Sequence, residues 1–242
     1  MKASPSDQQQ ILDVAAFDQK TTALNHSAAT LPEIAELASL TTKSNNARDL
    51  RIAAETEHND VKRELLRAEG DVEQIVTRIT RDEARLSGGS ASPKELEQLQ
   101  HEVGTLNARR SELEEVELEI MMRVDEIKAR IADLQAQEAD FTAQINDLNI
   151  RKENALARIN GELESIAKER SETLAPVSPE LIALYEKIRV ANNGTGAAAL
   201  VAGACTGCHL SINTVELKRI AELATDEVVR CEECRCILVR GA

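Results

Sequence analysis

The chain has 242 residues, 42 of them Asp or Glu and 29 Lys or Arg, for a net charge of −13. Its aromatic residues are only Phe17, Phe141 and Tyr185, with no Trp, which excludes a wide core built on large buried rings. The acidic balance disfavours a protein whose whole surface grips phosphate backbones, and the remaining mixture of Ala, Leu, Ile, Glu, Arg and Lys is that of long helices and coiled coils.

The polar start from Met1 to Asp7, and the interruptions at Asp13 and Asp18, leave no apolar signal-peptide region. No stretch approaches the roughly 18 apolar residues of a membrane span, so a cytoplasmic protein without membrane contact is expected. Ser4 is placed to cap a first helix over about 5–25, Pro5 suits its first turn, and Ile11, Val14, Ala15 and Leu24 give it one apolar stripe.

Two long arms follow. Over about 32–86, apolar residues recur at Ala54, Val61, Leu65, Ala68, Val72, Ile75, Ile79 and Leu86, mostly in steps of 3 and 4. Over about 93–172 the alternation is more regular, running through Leu96, Leu99, Val103, Leu106, Arg110, Leu113, Glu117, Ile120, Val124, Ile127, Ile131, Leu134, Glu138, Phe141, Ile145 and Leu148. Such a period predicts a left-handed coiled coil in which Arg110, Glu117 and Glu138 lower stability but fix register. The turn at 87–92 contains Gly88-Gly89 and ends on Ser92-Pro93-Lys94-Glu95, a capping box with Pro at the first helical position. Pairing about that turn puts residue i opposite roughly 180 minus i, and the N-terminal helix covers the part of the second arm that the first leaves over. The predicted rod thus spans residues 1–175.

Pro176 and Pro179 stop the long helix, and a short connecting helix is expected within 176–193, through Leu181, Leu184, Ile188 and Ala191. Tyr185 reads there as a core or interface residue rather than a reacting group. His26, His58 and His101 lie on helices without an acidic or cysteine partner at metal spacing, so a solvated surface is their default.

All five cysteines fall in the last stretch, 194–242. Cys205-Thr206-Gly207-Cys208 and Cys231-Glu232-Glu233-Cys234 form two CxxC knuckles separated by 22 residues, the pattern of a tetrahedral zinc site. Between them, Asn213 or Thr214 can cap a helix over Val215–Leu223, while Ala198–Val201, Val228–Arg230 and Ile237–Val239 suit a small sheet. With Cys205, Cys208, Cys231 and Cys234 as ligands no coordination position stays open for water, so one structural Zn2+ rather than a catalytic one is expected. Cys236 could replace Cys234, though a small strand residue is the plainer role; His209 reads as an outer-sphere donor or a surface group. No phosphate-cradling loop, GxSxG or HExxH occurs, and no enzymatic activity is expected. The fold class is mainly α: a long antiparallel coiled-coil hairpin with a small α+β zinc ribbon at its C-terminal end.

The turn with Pro93-Lys94-Glu95-Leu96, the segment Tyr185-Glu186-Lys187-Ile188-Arg189, and Cys205-x-x-Cys208-His209 followed by Val229-Arg230-Cys231-Glu232-x-Cys234-Arg235-x-Ile237-Leu238 resemble a bacterial family that joins a coiled-coil hairpin to a C4-type zinc ribbon. The resemblance implies Cys205, Cys208, Cys231 and Cys234 as zinc ligands and a non-enzymatic role. Some members are linked to an alternative sigma factor, flagellar regulation or type III secretion. The chain departs from the family pattern after the last ligand, where Arg235 and Cys236 stand in place of a glycine.

Three functions compete. A cytosolic adaptor would bind a protein partner through rod and ribbon. It is favoured because residues 194–242 carry 5 basic against 6 acidic side chains, and four thiolates around one zinc add further negative charge, making a poor phosphate clamp. The alternative is an RNA- or DNA-binding regulator that uses Lys218 and Arg219 on the ribbon helix. A thiol switch with Cys236 as the spare cysteine is a third reading. Open seams at either end of the rod leave room for a homodimer.

Overall fold

The computed structural model describes residues 1–89 and 92–241. Ser90 and Ala91, at the centre of the expected turn, lie outside the described residues. The elements run α1 (Pro5–Ala29), α2 (Pro32–Ser87), α3 (Pro93–Leu174), α4 (Pro179–Ala191), β1 (Ala197–Val201), β2 (Ala204–Cys205), α5 (Thr214–Glu222), β3 (Val229–Arg230) and β4 (Ile237–Val239). They group into two compact units: Met1–Ala35 with Asn149–Ala242, and Glu36–Leu148.

The Glu36–Leu148 unit is the coiled-coil hairpin. Its core is thin, with Ala54 and Val61 on α2 buried against Val124, Ile127 and Leu134 on α3, flanked by Leu65, Ile120 and Ile131. Every apolar position in the predicted α3 seam from Leu96 to Leu148 is buried or half-buried, while Arg110 turns outward to pair with Glu114 at 2.6 Å. The capping box forms as its residues require: Ser92 N–H donates to Glu95 Oε2 at 2.8 Å, which holds the Glu95 carboxyl below the usual carboxylate range.

Away from the turn the register differs from symmetry about it. Such symmetry would place Val116 opposite Glu64, but the partner of Glu64 is Arg123, at 3.1 Å, and Val116 is exposed. Glu57 pairs with Arg130, and Arg51 with Glu138 at 2.7 Å, in the same shifted register. Near the turn the expected symmetry holds, with Arg78 reaching Glu102. The shift lets the β-branched Val61 and Val124 and the small Ala54 share one seam, so packing rather than loop symmetry decides the pairing. His58 is half-buried, with Nε2 buried and unpaired, rather than solvated.

The other unit gathers the N-terminal helix, the far end of α3, α4 and the cysteine module around one core. Ile11, Val14 and Ala15 of α1 pack with Val177, Leu181, Tyr185 and Ile188, and with Ile237, Leu238 and Val239 of β4. Ser4 caps α1, accepting from Asp7 N–H at 3.0 Å. The chain leaves α4 through Asn193 and Gly194, both in the left-handed region at φ 51° and 112°.

The sheet order is β2-β1-β4-β3, with β1 and β4 parallel and the other pairs antiparallel. The parallel pair encloses the loop that carries α5, which explains the long gap between the knuckles. The N-terminus pairs with the segment just ahead of β3: Ala3 N–H donates to Asp226 O at 2.8 Å, and Val228 N–H to Met1 O at 3.1 Å. No helix among the described residues is long and apolar enough to cross a membrane.

Candidate metal centre

Each knuckle is a tight turn closed by a backbone bond from the residue after its second cysteine. His209 N–H donates to Cys205 O at 2.8 Å, and Arg235 N–H donates to Cys231 O at 3.0 Å. Both residues pay for the turn with left-handed backbones, φ 59° at His209 and 64° at Arg235. Arg235 therefore occupies the conformation for which a glycine would be expected. The His209 side chain is exposed, and the residue's visible contribution is this backbone geometry.

The knuckles face each other so that the sulfurs of Cys205, Cys208, Cys231 and Cys234 all lie within 4.8 Å of one another. Cys205 Sγ is 3.8 Å from Cys234 Sγ, and Cys208 Sγ is 3.9 Å from Cys231 Sγ. Four sulfurs at tetrahedral zinc, each about 2.3 Å from the ion, stand roughly 3.8 Å apart. The donor set therefore fits one tetrahedral zinc ion in chemistry and in size. Cys205 and Cys231 are buried, and Cys208 and Cys234 half-buried.

Neighbouring groups fix the knuckles from outside. Asn192, the C-cap of α4, donates its Nδ2 hydrogen to Cys234 O at 2.6 Å. Ala199 N–H on β1 donates to Thr206 Oγ1 at 2.9 Å. Gly207 packs so closely on β1 that a Cβ there would lie 3.0 Å from the Ala198 Cβ. Cys236 is wholly buried, with its sulfur 3.0 Å from Cys234 Sγ and 3.7 Å from Cys205 Sγ. Burial pushes the Cys234 thiol up to about 12 and the Cys236 thiol further in the same direction. Metal entry therefore displaces protons.

A second polar cluster lies beside the ribbon, and motif reading does not find it. Asp18 on α1 accepts from Arg170 Nε at 2.8 Å and Nη2 at 3.2 Å, and from the Tyr185 hydroxyl at 2.6 Å. Arg170 and Arg189 both also reach Glu186, at 2.5 and 2.8 Å. Burial, reinforced by Asp18, raises the Tyr185 hydroxyl above the usual tyrosine range. The sequence does carry a signal: Asp18 continues the steps of 3 and 4 from Ile11, Val14 and Ala15, a charge on an apolar stripe that requires a partner.

Comparison with known proteins agrees with this architecture. The model of the CT398-like coiled-coil hairpin domain matches residues 14–193, and that of the C4-type zinc ribbon domain matches residues 204–238. The chain belongs to the CT398-like coiled-coil hairpin family. It is 36% identical over 244 residues to the uncharacterized protein Rv2229c of Mycobacterium tuberculosis, covering 99% of this chain and 98% of the relative. A solved Mycobacterium smegmatis structure matches with a TM-score of 0.86 at 28% identity, covering 99% of this chain and all of that one. CT398 from Chlamydia trachomatis shares the fold, with a TM-score of 0.67 at 20% identity over 97% of both chains. The family's C4 ribbon and the clustered sulfurs together make this a site for one structural zinc ion.

Proposed function

We propose that this family member is a non-enzymatic cytoplasmic adaptor or regulator that binds a protein partner through its coiled-coil hairpin and its ribbon. The observation that carries this reading is how the ribbon uses its arginines. The Arg240 guanidinium donates to four backbone carbonyls, those of Ile220, Leu223, Ala224 and Glu227. Arg219 is bound to Glu216, with Nε donating at 2.6 Å, and Arg230 Nε donates to Arg235 O at 2.9 Å. A nucleic-acid site built on Lys218 and Arg219 would have to break the Arg219 pair first. Phosphate binding draws on free, clustered cations, whereas the ribbon surface displays apolar side chains at Val201, Leu210 and Val215.

The test is recovery of partners from native extract on the immobilised full chain, with and without nuclease, beside a Leu210→Asp/Val215→Glu variant. The expected result is a nuclease-resistant set of proteins that the variant loses. Recovery that collapses with nuclease, together with salt-sensitive retardation of RNA or DNA by the purified chain, would overturn the adaptor reading in favour of a nucleic-acid-binding regulator.

A further inference from the structure

We propose that Cys236 is a reserve metal ligand that shares one coordination position with Cys234, so that the ribbon carries five sulfurs for four positions. The inference starts from where the Cys236 sulfur points. The residue lies in the same buried core as Ile237, Leu238 and Val239. Within that core its sulfur contacts two sulfurs of the metal cluster, Cys205 Sγ at 3.7 Å and Cys234 Sγ at 3.0 Å.

The two distances have different meanings. Sulfurs bound to one tetrahedral zinc ion stand roughly 3.8 Å apart, so the 3.7 Å separation from Cys205 is that of two ligands of one ion. The 3.0 Å separation from Cys234 is too short for both sulfurs to hold tetrahedral positions together. Cys236 stands outside the four sulfurs that all lie within 4.8 Å of one another, so it can take the Cys234 position only by turning its side chain toward Cys208 and Cys231, which with Cys205 would be common to both sets.

The surroundings support such an exchange. The Cys236 backbone is pinned on either side, with Cys231 N–H donating to Cys236 O at 3.0 Å and Ile237 N–H donating to Gly196 O at 2.9 Å. The absence of a side chain at Gly207 leaves room beside the Cys236 sulfur, which would lie 3.5 Å from a Cβ there. Cys234 sits in the half-exposed knuckle whose turn depends on a left-handed Arg235. As the Cys236 sulfur takes the position, its proton passes to the Cys234 sulfur that leaves it. One metal–sulfur bond forms, one breaks, and the number of coordinating thiolates is unchanged.

The full-length chain loaded with cobalt(II) tests this, because the intensity of the sulfur-to-cobalt charge-transfer band counts thiolate ligands. The comparison is between the unaltered chain, Cys234→Ser, Cys236→Ser and the double variant. The expected result is equal band intensity in the first three and a loss of about a quarter in the double variant, four thiolates falling to three. Intensity in Cys234→Ser as low as in the double variant overturns the proposal. A Cys234→Ser chain that takes up no cobalt overturns it too, since a reserve ligand must hold the site alone. A loss in Cys236→Ser while Cys234→Ser stays intact would make Cys236 the resident ligand and refute shared occupancy.

Discussion

The Tyr185 hydroxyl, on α4, donates to Asp18 Oδ2, on α1, across 2.6 Å in the interior of the unit that also holds the ribbon. Tyr185 is the only tyrosine in a chain without tryptophan, so absorbance near 295 nm reports the ionisation of this one group. Its folded pKa is raised above the unfolded value of about 10 by burial and then by Asp18. The neutral hydroxyl therefore contributes stability that is fully present below pH ~10 and is lost as pH rises beyond it. The expected outcome is no tyrosinate signal near pH 10, followed by a rise that coincides with loss of helical circular dichroism. In Asp18→Asn the rise moves toward lower pH. A free titration near pH 10 in the folded chain would refute the buried bond.

Gly196 lies against the Tyr185 ring. A Cβ at residue 196 would come within 2.4 Å of Tyr185 Cε2, and that ring is wholly buried with no room to swing aside. Gly196→Ala should cost about 1–3 kcal/mol through overpacking, visible as a lowered thermal midpoint. Combining it with Tyr185→Leu, which frees the volume, should give less than the sum of the two single costs.

The outlines of this fold could be read from periodicity because a coiled coil repeats one physical rule. The Leu96–Leu148 seam, the Ser92 and Ser4 caps and the Asn213 cap of α5 each depend on residues a few positions apart. The metal set was legible for the same reason, since two CxxC knuckles declare themselves locally. The hairpin register was not, because Glu64 and Arg123 are distant in sequence and their meeting depends on how Val61 and Val124 interlock. Nor was the parallel β1/β4 pair, or the contact of Cys236 with Cys205 and Cys234, since these follow from tertiary closure.

Arg235 and His209 hold left-handed backbones that cost a residue with a side chain about 1 kcal/mol or more. Arg235→Gly should therefore stabilise the ribbon by about 0.5–1 kcal/mol after allowing for the extra freedom of glycine in the unfolded chain. The Arg230 side chain donates from Nε to the backbone carbonyl of Arg235, an acceptor that the change leaves in place. Chelator competition should show slower metal release from Arg235→Gly. Faster release would mean that the Arg235 side chain, not its backbone, matters.

Arg51 and Glu138 form a polar rung across the hairpin seam at 2.7 Å, with both side chains mostly shielded. Arg51 also holds Glu55 at 2.7 Å, so Glu138→Ala leaves the cation with one partner instead of none. A double-mutant cycle on Arg51 and Glu138 should yield a coupling of about 1 kcal/mol that shrinks with added salt. Replacing both by Leu should match or exceed the parent stability, as shielded ion pairs often lose to apolar packing. It should also loosen register, detectable as altered crosslinking between cysteines placed at residues 64 and 123. Unchanged crosslinking would show that the apolar rungs alone fix the pairing.

Metal removal should act on one unit of the molecule and spare the other. The ribbon strands are only 2 to 5 residues long, and a module this small draws much of its folding free energy from the ion. The hairpin has its own buried cluster around Val61, Val124 and Ile127. Adding a strong chelator should therefore abolish amide-exchange protection in β1, β3 and β4 while helical circular dichroism falls only slightly. Tyr185 lies in the core those strands complete, so its ionisation should move down toward pH ~10 after chelation. Protection that persisted through β4 would mean that the contacts with α1 and α4, rather than the metal, hold the sheet together.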